Sequence, residues 1–253
     1  MGRWPSWGWG LTELWLVGIG TGNPEHVTLE GQRALREAAV VLIPRKGAAK
    51  EDLAELRLGI LRASGSDARV IPFEMPVRDE GLPYAERVEQ WHDEIATRWV
   101  AALEDAPEGP VALLVWGDPG LYDSTLRIAA RLDPAPRVRV VPGVTALQAL
   151  TSAHAVPFNT VNGAVVVTTG RRLRDFGWPE GAGTVVVMLD GECSFQSLDP
   201  NGISIWWGGF LGMAEQVLEA GPLAEAGPKI VDARAEARAK HGWIMDTYLM
   251  RRD

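Results

Sequence analysis

Two glycine turns hold the residues best placed for chemistry. Gly117-Asp118-Pro119-Gly120 follows the apolar run Val111 to Trp116 and leads into Leu121-Tyr122-Asp123-Ser124-Thr125. Gly18-Ile19-Gly20-Thr21-Gly22-Asn23-Pro24 follows Leu14 to Val17 and leads into Glu25-His26. Glycine lets a backbone pass close to a ligand, and loops at the carboxyl ends of parallel strands line the ligand crevice of an open sheet. The pair therefore points to a small-molecule site. Two basic groups follow strand-like runs where such a crevice opens: Arg45, Lys46 and Lys50 in the first half, and Arg171, Arg172 and Arg174 in the second. They could hold an anionic ligand or form solvated faces.

The first loop has dinucleotide features, but the Rossmann pattern needs its third glycine where Asn23 stands, and Pro24 delays the helix. An NAD site also wants an acidic residue about 20 residues on, at the end of the second strand. Pro44-Arg45-Lys46 stands there instead, which leaves an NADP-dependent reductase as an alternative. Walker and Gly-x-Ser-x-Gly spacings are missing from this loop, so phosphoryl transfer and serine hydrolysis fit poorly.

Apolar periodicity supplies the elements that must position these turns. Strands are expected at Leu14–Val17, Val40–Ile43, Arg69–Phe73, Val111–Trp116 and Val138–Val141, alternating with helices over 29–39 (capped by Thr28), 51–62, 88–103, 125–132 and 144–154. That alternation predicts a parallel α/β domain over residues 11–154. Residues 160–253 carry strands at 164–168, 184–189, 203–207 and 243–250, with helices expected over 213–220 and 233–241. The fold class is α/β, with a mostly parallel first sheet and a mixed second one.

The 253-residue chain can bury a substantial core, and its 46% hydrophobic and 23% charged residues suit a globular protein. A net charge of -8 argues against nucleic-acid binding, and no apolar run reaches membrane-spanning length. Cys193 is the sole cysteine, which precludes an internal disulfide and fits a reducing, cytoplasmic setting. The four histidines are scattered, so no metal site is expected. Eleven tryptophans are more than a stacking site needs; core packing or an interface between copies explains them better.

The order of Val17-Gly18-Ile19-Gly20-Thr21-Gly22-Asn23-Pro24, Gly117-Asp118-Pro119 and Val141-Pro142-Gly143-Val144-Thr145-Ala146 resembles the tetrapyrrole methylases. Thr21 and Asn23 depart from that family's usual Gly-x-Gly-Pro-Gly-Asp-Pro. With Pro44 to Leu53 and His241 to Tyr248, the departure resembles a branch that methylates C1 of a corrin precursor with loss of acetate. The resemblance implies two α/β domains, S-adenosylmethionine folded in the cleft between them, and a homodimer. It further implies that Gly117, Asp118, Leu121, Thr145, Ala146 and Leu189, with the segment Lys229 to Val231, lie along the donor. Gly20, Thr21 and Asn23 would face the macrocycle, whose carboxylates Arg45, Lys46, Lys50 and Arg171 could meet.

Methyl transfer from a sulfonium needs alignment and dryness more than acid or base. Deacetylation needs a base for water and a donor for the oxyanion, roles open to His26, Glu25 and Tyr122. A solvated helical turn is the alternative for His26 and Glu25. An Asx turn is the alternative for Asp118, and helix capping is favoured for Asp123. A methylase acting at another ring position and a non-catalytic tetrapyrrole carrier remain open.

Overall fold

The structure is a computed structural model that describes residues 13–45 and 51–252. Contacts divide the chain into two units, one of Met1–Gly20 with Pro24–Gly143 and one of Thr21–Asn23 with Val144–Asp253.

The first unit contains β1 (Glu13–Gly18), α1 (Leu29–Glu37), β2 (Val40–Arg45), α2 (Glu51–Ala63), β3 (Arg69–Glu74), α3 (Tyr84–Ala102), β4 (Val111–Val115), α4 (Thr125–Ala129) and β5 (Arg137–Val141). Among the described residues its sheet runs β3-β2-β4-β1-β5, every pair parallel. β4 is buried throughout and β1 everywhere past Glu13, as a sheet covered on both faces requires. Trp15, Val17, Ala112 and Leu114 turn to the face covered by Leu35 of α1 and Ile60 of α2. Leu14, Leu16, Val111 and Leu113 turn to the other, with Ile95 and Trp99 of α3 and Ile128 of α4. Each buried aliphatic side chain contributes about 1.5–3 kcal/mol. Thr28 caps α1 as expected, its hydroxyl accepting from Gly31 N.

The second unit holds α5 (Ala146–Ala153), β6 (Val165–Thr169), α6 (Gly170–Phe176), β7 (Thr184–Met188), β8 (Ile203–Gly209), β9 (Val217–Pro222), α7 (Leu223–His241) and β10 (Asp246–Arg252). Its strand order is β6-β7-β10-β8-β9; β6 and β7 are parallel and the other pairs antiparallel, the mixed sheet expected. Phe195, Trp207, Ile230 and Tyr248 lie at its core. Helix α5, which the sequence reading placed with the first half, keeps its element contacts with β8 and β10.

Two expectations for the second half need correction. Residues 213–220 were expected as a helix, but Val217–Pro222 is the edge strand β9, paired through Trp207↔Glu219 and Ile205↔Gly221. The good helix formers in Met213-Ala214-Glu215-Gln216 are overridden by the free edge of β8, since pairing and packing outweigh local propensity. Helix α6 was not foreseen; Thr169 caps it, accepting from Arg172 N, and Leu173 anchors it. The tryptophan reading fares well for the core: Trp15, Trp99, Trp207 and Trp243 are buried.

His92 of α3 is 1% exposed, and neither ring nitrogen has a hydrogen-bond partner among the described residues. Burial lowers its pKa, with Arg131, Arg127 and Arg78 adding repulsion against the attraction of Glu89. The unfolded chain then binds this proton more readily than the folded one. Its contribution is complete above the unperturbed value of about 6.5 and is lost as pH falls through and below it. His92→Leu, which removes the titrating group, is expected to flatten the dependence of melting temperature on pH between about 7.5 and 5. An unchanged slope would show that His92 does not carry it.

Candidate functional site

In the first unit the carboxyl edges of the adjacent strands β4, β1 and β5 meet through glycines. A Cβ added to Gly143 would lie 2.2 Å from Gly117 O and 2.7 Å from the carbonyl carbon of Gly18. One added to Gly18 would lie 2.6 Å from Gly143 N. No other residue fits either position without moving backbone. Gly117, at φ 63°, forms a bridge with Gly20, donating to Gly20 O at 2.7 Å and accepting from Gly20 N at 3.3 Å. Gly20 also sits at positive φ, 73°, with a would-be Cβ 2.3 Å from that of His26. The two sequence-predicted loops are thus joined backbone to backbone.

Asp118 braces this edge. Its Oδ1 accepts from Gly120 N at 2.7 Å, the Asx turn weighed above, and its Oδ2 accepts from Gly143 N at 3.0 Å. One carboxylate therefore ties the loop after β4 to the loop after β5. Beyond it, Tyr122 is exposed at φ 49°, and Asp123 Oδ1 accepts from Thr125 N at 2.6 Å in an Asx turn just ahead of α4, whose N-cap is Ser124 rather than Asp123. Leu121 is half-buried in the same loop. Pro24–His26 forms a single 3-10 turn, with Glu25 exposed and His26 half-buried, packed near α2.

The second unit contributes a different set. Thr145 caps α5 through a capping box with Gln148, which leaves Ala146 as the first helical residue. Leu189, just past β7, is 68% exposed at φ 53°. The next residue holds it there. Asp190 accepts from Ser194 N at 2.6 Å, Ser194 Oγ at 2.9 Å, Glu192 N at 3.0 Å and Tyr248 OH at 2.6 Å. Burial, helped by the Asp190 carboxylate, drives the Tyr248 hydroxyl far above its ordinary value, so it stays a donor. Beside it Asp246, raised by burial, accepts from Trp207 Nε1 and Arg234 Nε, both at 2.9 Å. Cys193 is buried at φ 54°, and burial pushes its thiol up to about 11.

Lys229 to Val231 lies inside α7, with Ile230 in the core, so its backbone N–H groups serve the helix. Gly22 (φ 114°) packs on Met213, its would-be Cβ 2.9 Å from that side chain, and fixes the turn between half-buried Thr21 and Asn23. Arg45 is exposed at the end of β2, while Lys46 and Lys50 lie outside the described residues. Arg171 is exposed on α6; its neighbour Arg174 pairs with Glu192 and Asp175, and Arg172 stacks on Phe176.

Sequence reasoning missed Asp190, Tyr248 and Arg57. The signal for Asp190 was present in the turn sequence Asp190-Gly191. Nothing local announces Tyr248 or Arg57, each of which bonds across to a partner distant in sequence, Asp190 and Leu114 O.

Asp118→Ala leaves Gly143 N without its acceptor and is expected to cost about 1–3 kcal/mol in urea unfolding. Gly143→Ala is expected to cost at least as much, because Gly117 O cannot yield without disturbing β4. Equal stability of wild type and Asp118→Ala would remove the brace from the account.

Comparison with known proteins bears on what such an edge serves. The family model for tetrapyrrole (corrin/porphyrin) methylases matches residues 13–227. The chain is 45% identical over 252 residues to precorrin-6A synthase [deacetylating] of Sinorhizobium sp, covering 96% of each. Among solved structures it is similar to a cobalamin-synthesis-related protein, CobF, of Corynebacterium diphtheriae, with TM-score 0.81 and 37% identity over 95% of this chain and 98% of that one. The fold is shared with uroporphyrin-III C-methyl transferase of Thermus thermophilus, solved with S-adenosyl homocysteine, at TM-score 0.62 and 19% identity over 94% and 92% of the two chains. With most of its length matched by the family model, the chain belongs to the tetrapyrrole (corrin/porphyrin) methylases.

Proposed function

We propose that the chain is an S-adenosylmethionine-dependent C-methyltransferase that converts precorrin-5 to precorrin-6A, adding a methyl at C1 and releasing acetate. The observation that carries this reading is the likeness, along nearly the whole chain, to the deacetylating Sinorhizobium synthase. That likeness also favours it over the NADP-dependent reductase and over methylation at another ring position.

The glycine edge suits a flat, polar donor. Gly143 lets the loop after β5 close on Gly18 and Gly117, Asp118 keeps the two loops in register, and half-buried Leu121 offers an apolar contact. We place Thr145, Ala146 and the exposed Leu189 along the donor as well. When bound, S-adenosylmethionine supplies an already activated methyl group. The residues therefore have to align the macrocycle carbon and exclude water, which supplies most of the acceleration. Asp118 spends both oxygens on backbone N–H groups, so its role is to hold shape.

Acetyl removal asks for more. Water must add to the acetyl carbonyl, the bond to the macrocycle must break with its electron pair passing to the ring, and acetate leaves. We assign water activation to His26 or Glu25 and oxyanion donation to Tyr122. Gly20, Thr21 and Asn23 face the macrocycle in this reading, and Arg45, Lys46, Lys50 and Arg171 meet its carboxylates. The same resemblance supports a homodimer, and the solitary buried Cys193 supports a reducing, cytoplasmic setting.

Saturating S-adenosylhomocysteine is expected to raise the melting temperature, with about 2.7 kcal/mol of stabilisation at one hundred times its Kd, while NADPH gives no shift. Supplied with precorrin-5 and methyl-labelled donor, the protein is expected to release one acetate for each labelled methyl incorporated. Methylation without acetate would retain the family and refute the deacetylating step.

A further inference from the structure

Arg57 of α2 is 9% exposed, yet among the described residues no carboxylate forms an ion pair with it. Its position follows from a break in the sheet. β2 pairs with β4 only through Leu42↔Leu113, whereas β4 stays with β1 to Val115 and β2 stays with β3 to Glu74. Successive carbonyls point to opposite sides of a strand, so with Val115 O taken by Ile19 N, Leu114 O faces the side β2 has left. Pro44 has no N–H to offer it. Arg57 Nε fills the vacancy at 3.3 Å, Nη1 bonds Leu53 O at 3.1 Å, and the guanidinium lies 4.8 Å from the Trp116 ring centroid.

Nη2 has no acceptor among the described residues. Burial draws the guanidinium down to about 10, with Asp123 opposing, so it remains charged at neutral pH. A buried cation is costly when the one carboxylate acting on it, Asp123, forms no direct ion pair with it. The parting of β2 from β4, at Leu114, lies at the carboxyl edge of the sheet, three residues before Gly117, where ligands of open α/β sheets bind.

We propose that Arg57 is a carboxylate-binding residue for the acidic tetrapyrrole, offering the free side of its guanidinium where β2 and β4 part. This rests on the reaction assigned above only for the choice of ligand. An arginine held by Nε and Nη1 is already oriented, so little entropy is lost when Nη2 meets the anion. Arg45 at the end of β2 adds positive charge to the same strand end.

The test compares wild type with Arg57→Met and Arg57→Lys by calorimetric titration, using uroporphyrin III as a polycarboxylate tetrapyrrole probe and S-adenosylhomocysteine as a control. Arg57→Met is expected to bind the probe at least tenfold more weakly and Arg57→Lys to recover part of the loss. Both should bind S-adenosylhomocysteine within about twofold of wild type, even where the unsatisfied Leu114 O lowers the melting temperature of Arg57→Met. The proposal is overturned if wild type does not bind the probe or if Arg57→Met binds it equally well. It is also overturned if Arg57→Met loses melting temperature and both affinities together, which marks a strut. Failure of wild type to bind S-adenosylhomocysteine would instead refute the methyltransferase reading.

Discussion

Everything at the candidate site depends on how closely three strands' backbones approach at the carboxyl edge of the first sheet. Gly18 and Gly143 occupy positions where even a methyl group would overlap a neighbouring peptide, and Gly117 turns between them at positive φ. That proximity lets a single aspartate reach the amide beyond β5 while closing its own turn. A side chain at Gly18 or Gly143 would push the loops apart, and Asp118 would lose one partner. The glycines thus work as a set, and their benefit lies in what they bring together.

This explains what the sequence made legible. The strand runs, the Thr28 cap and the alternating order of the first half are local signals, and the structure follows them closely. The Gly-Asp-Pro turn was readable because glycine, aspartate and proline each have a narrow range of backbone uses. Residues 213–220 failed for the opposite reason: their helical propensity is local, but the edge of β8 that recruits Val217–Pro222 is not. Arg57 and Tyr248 stayed hidden because their partners lie 57 and 58 residues away.

The two units solve the problem of polar groups at strand ends differently. In the first, the aspartate is half-buried and its acceptors are spent on backbone amides, so the edge is shaped largely by main chain. In the second, Asp190 and Asp246 are buried among Tyr248, Ser194, Trp207 and Arg234, each carboxylate meeting several donors. Such a network is costly to assemble but specific, because removing one member leaves a buried group unsatisfied. It holds Leu189 in a left-handed conformation that an exposed leucine would otherwise rarely adopt.

Cys193 sits within that network, left-handed, buried and protonated at neutral pH. Thiol reagents attack the thiolate and need access, so this sulfur is nearly silent toward them. As the chain has no other cysteine, a new surface cysteine would be its one fast-reacting thiol. A fluorophore or spin label could then be attached at a chosen loop without first altering the native chain.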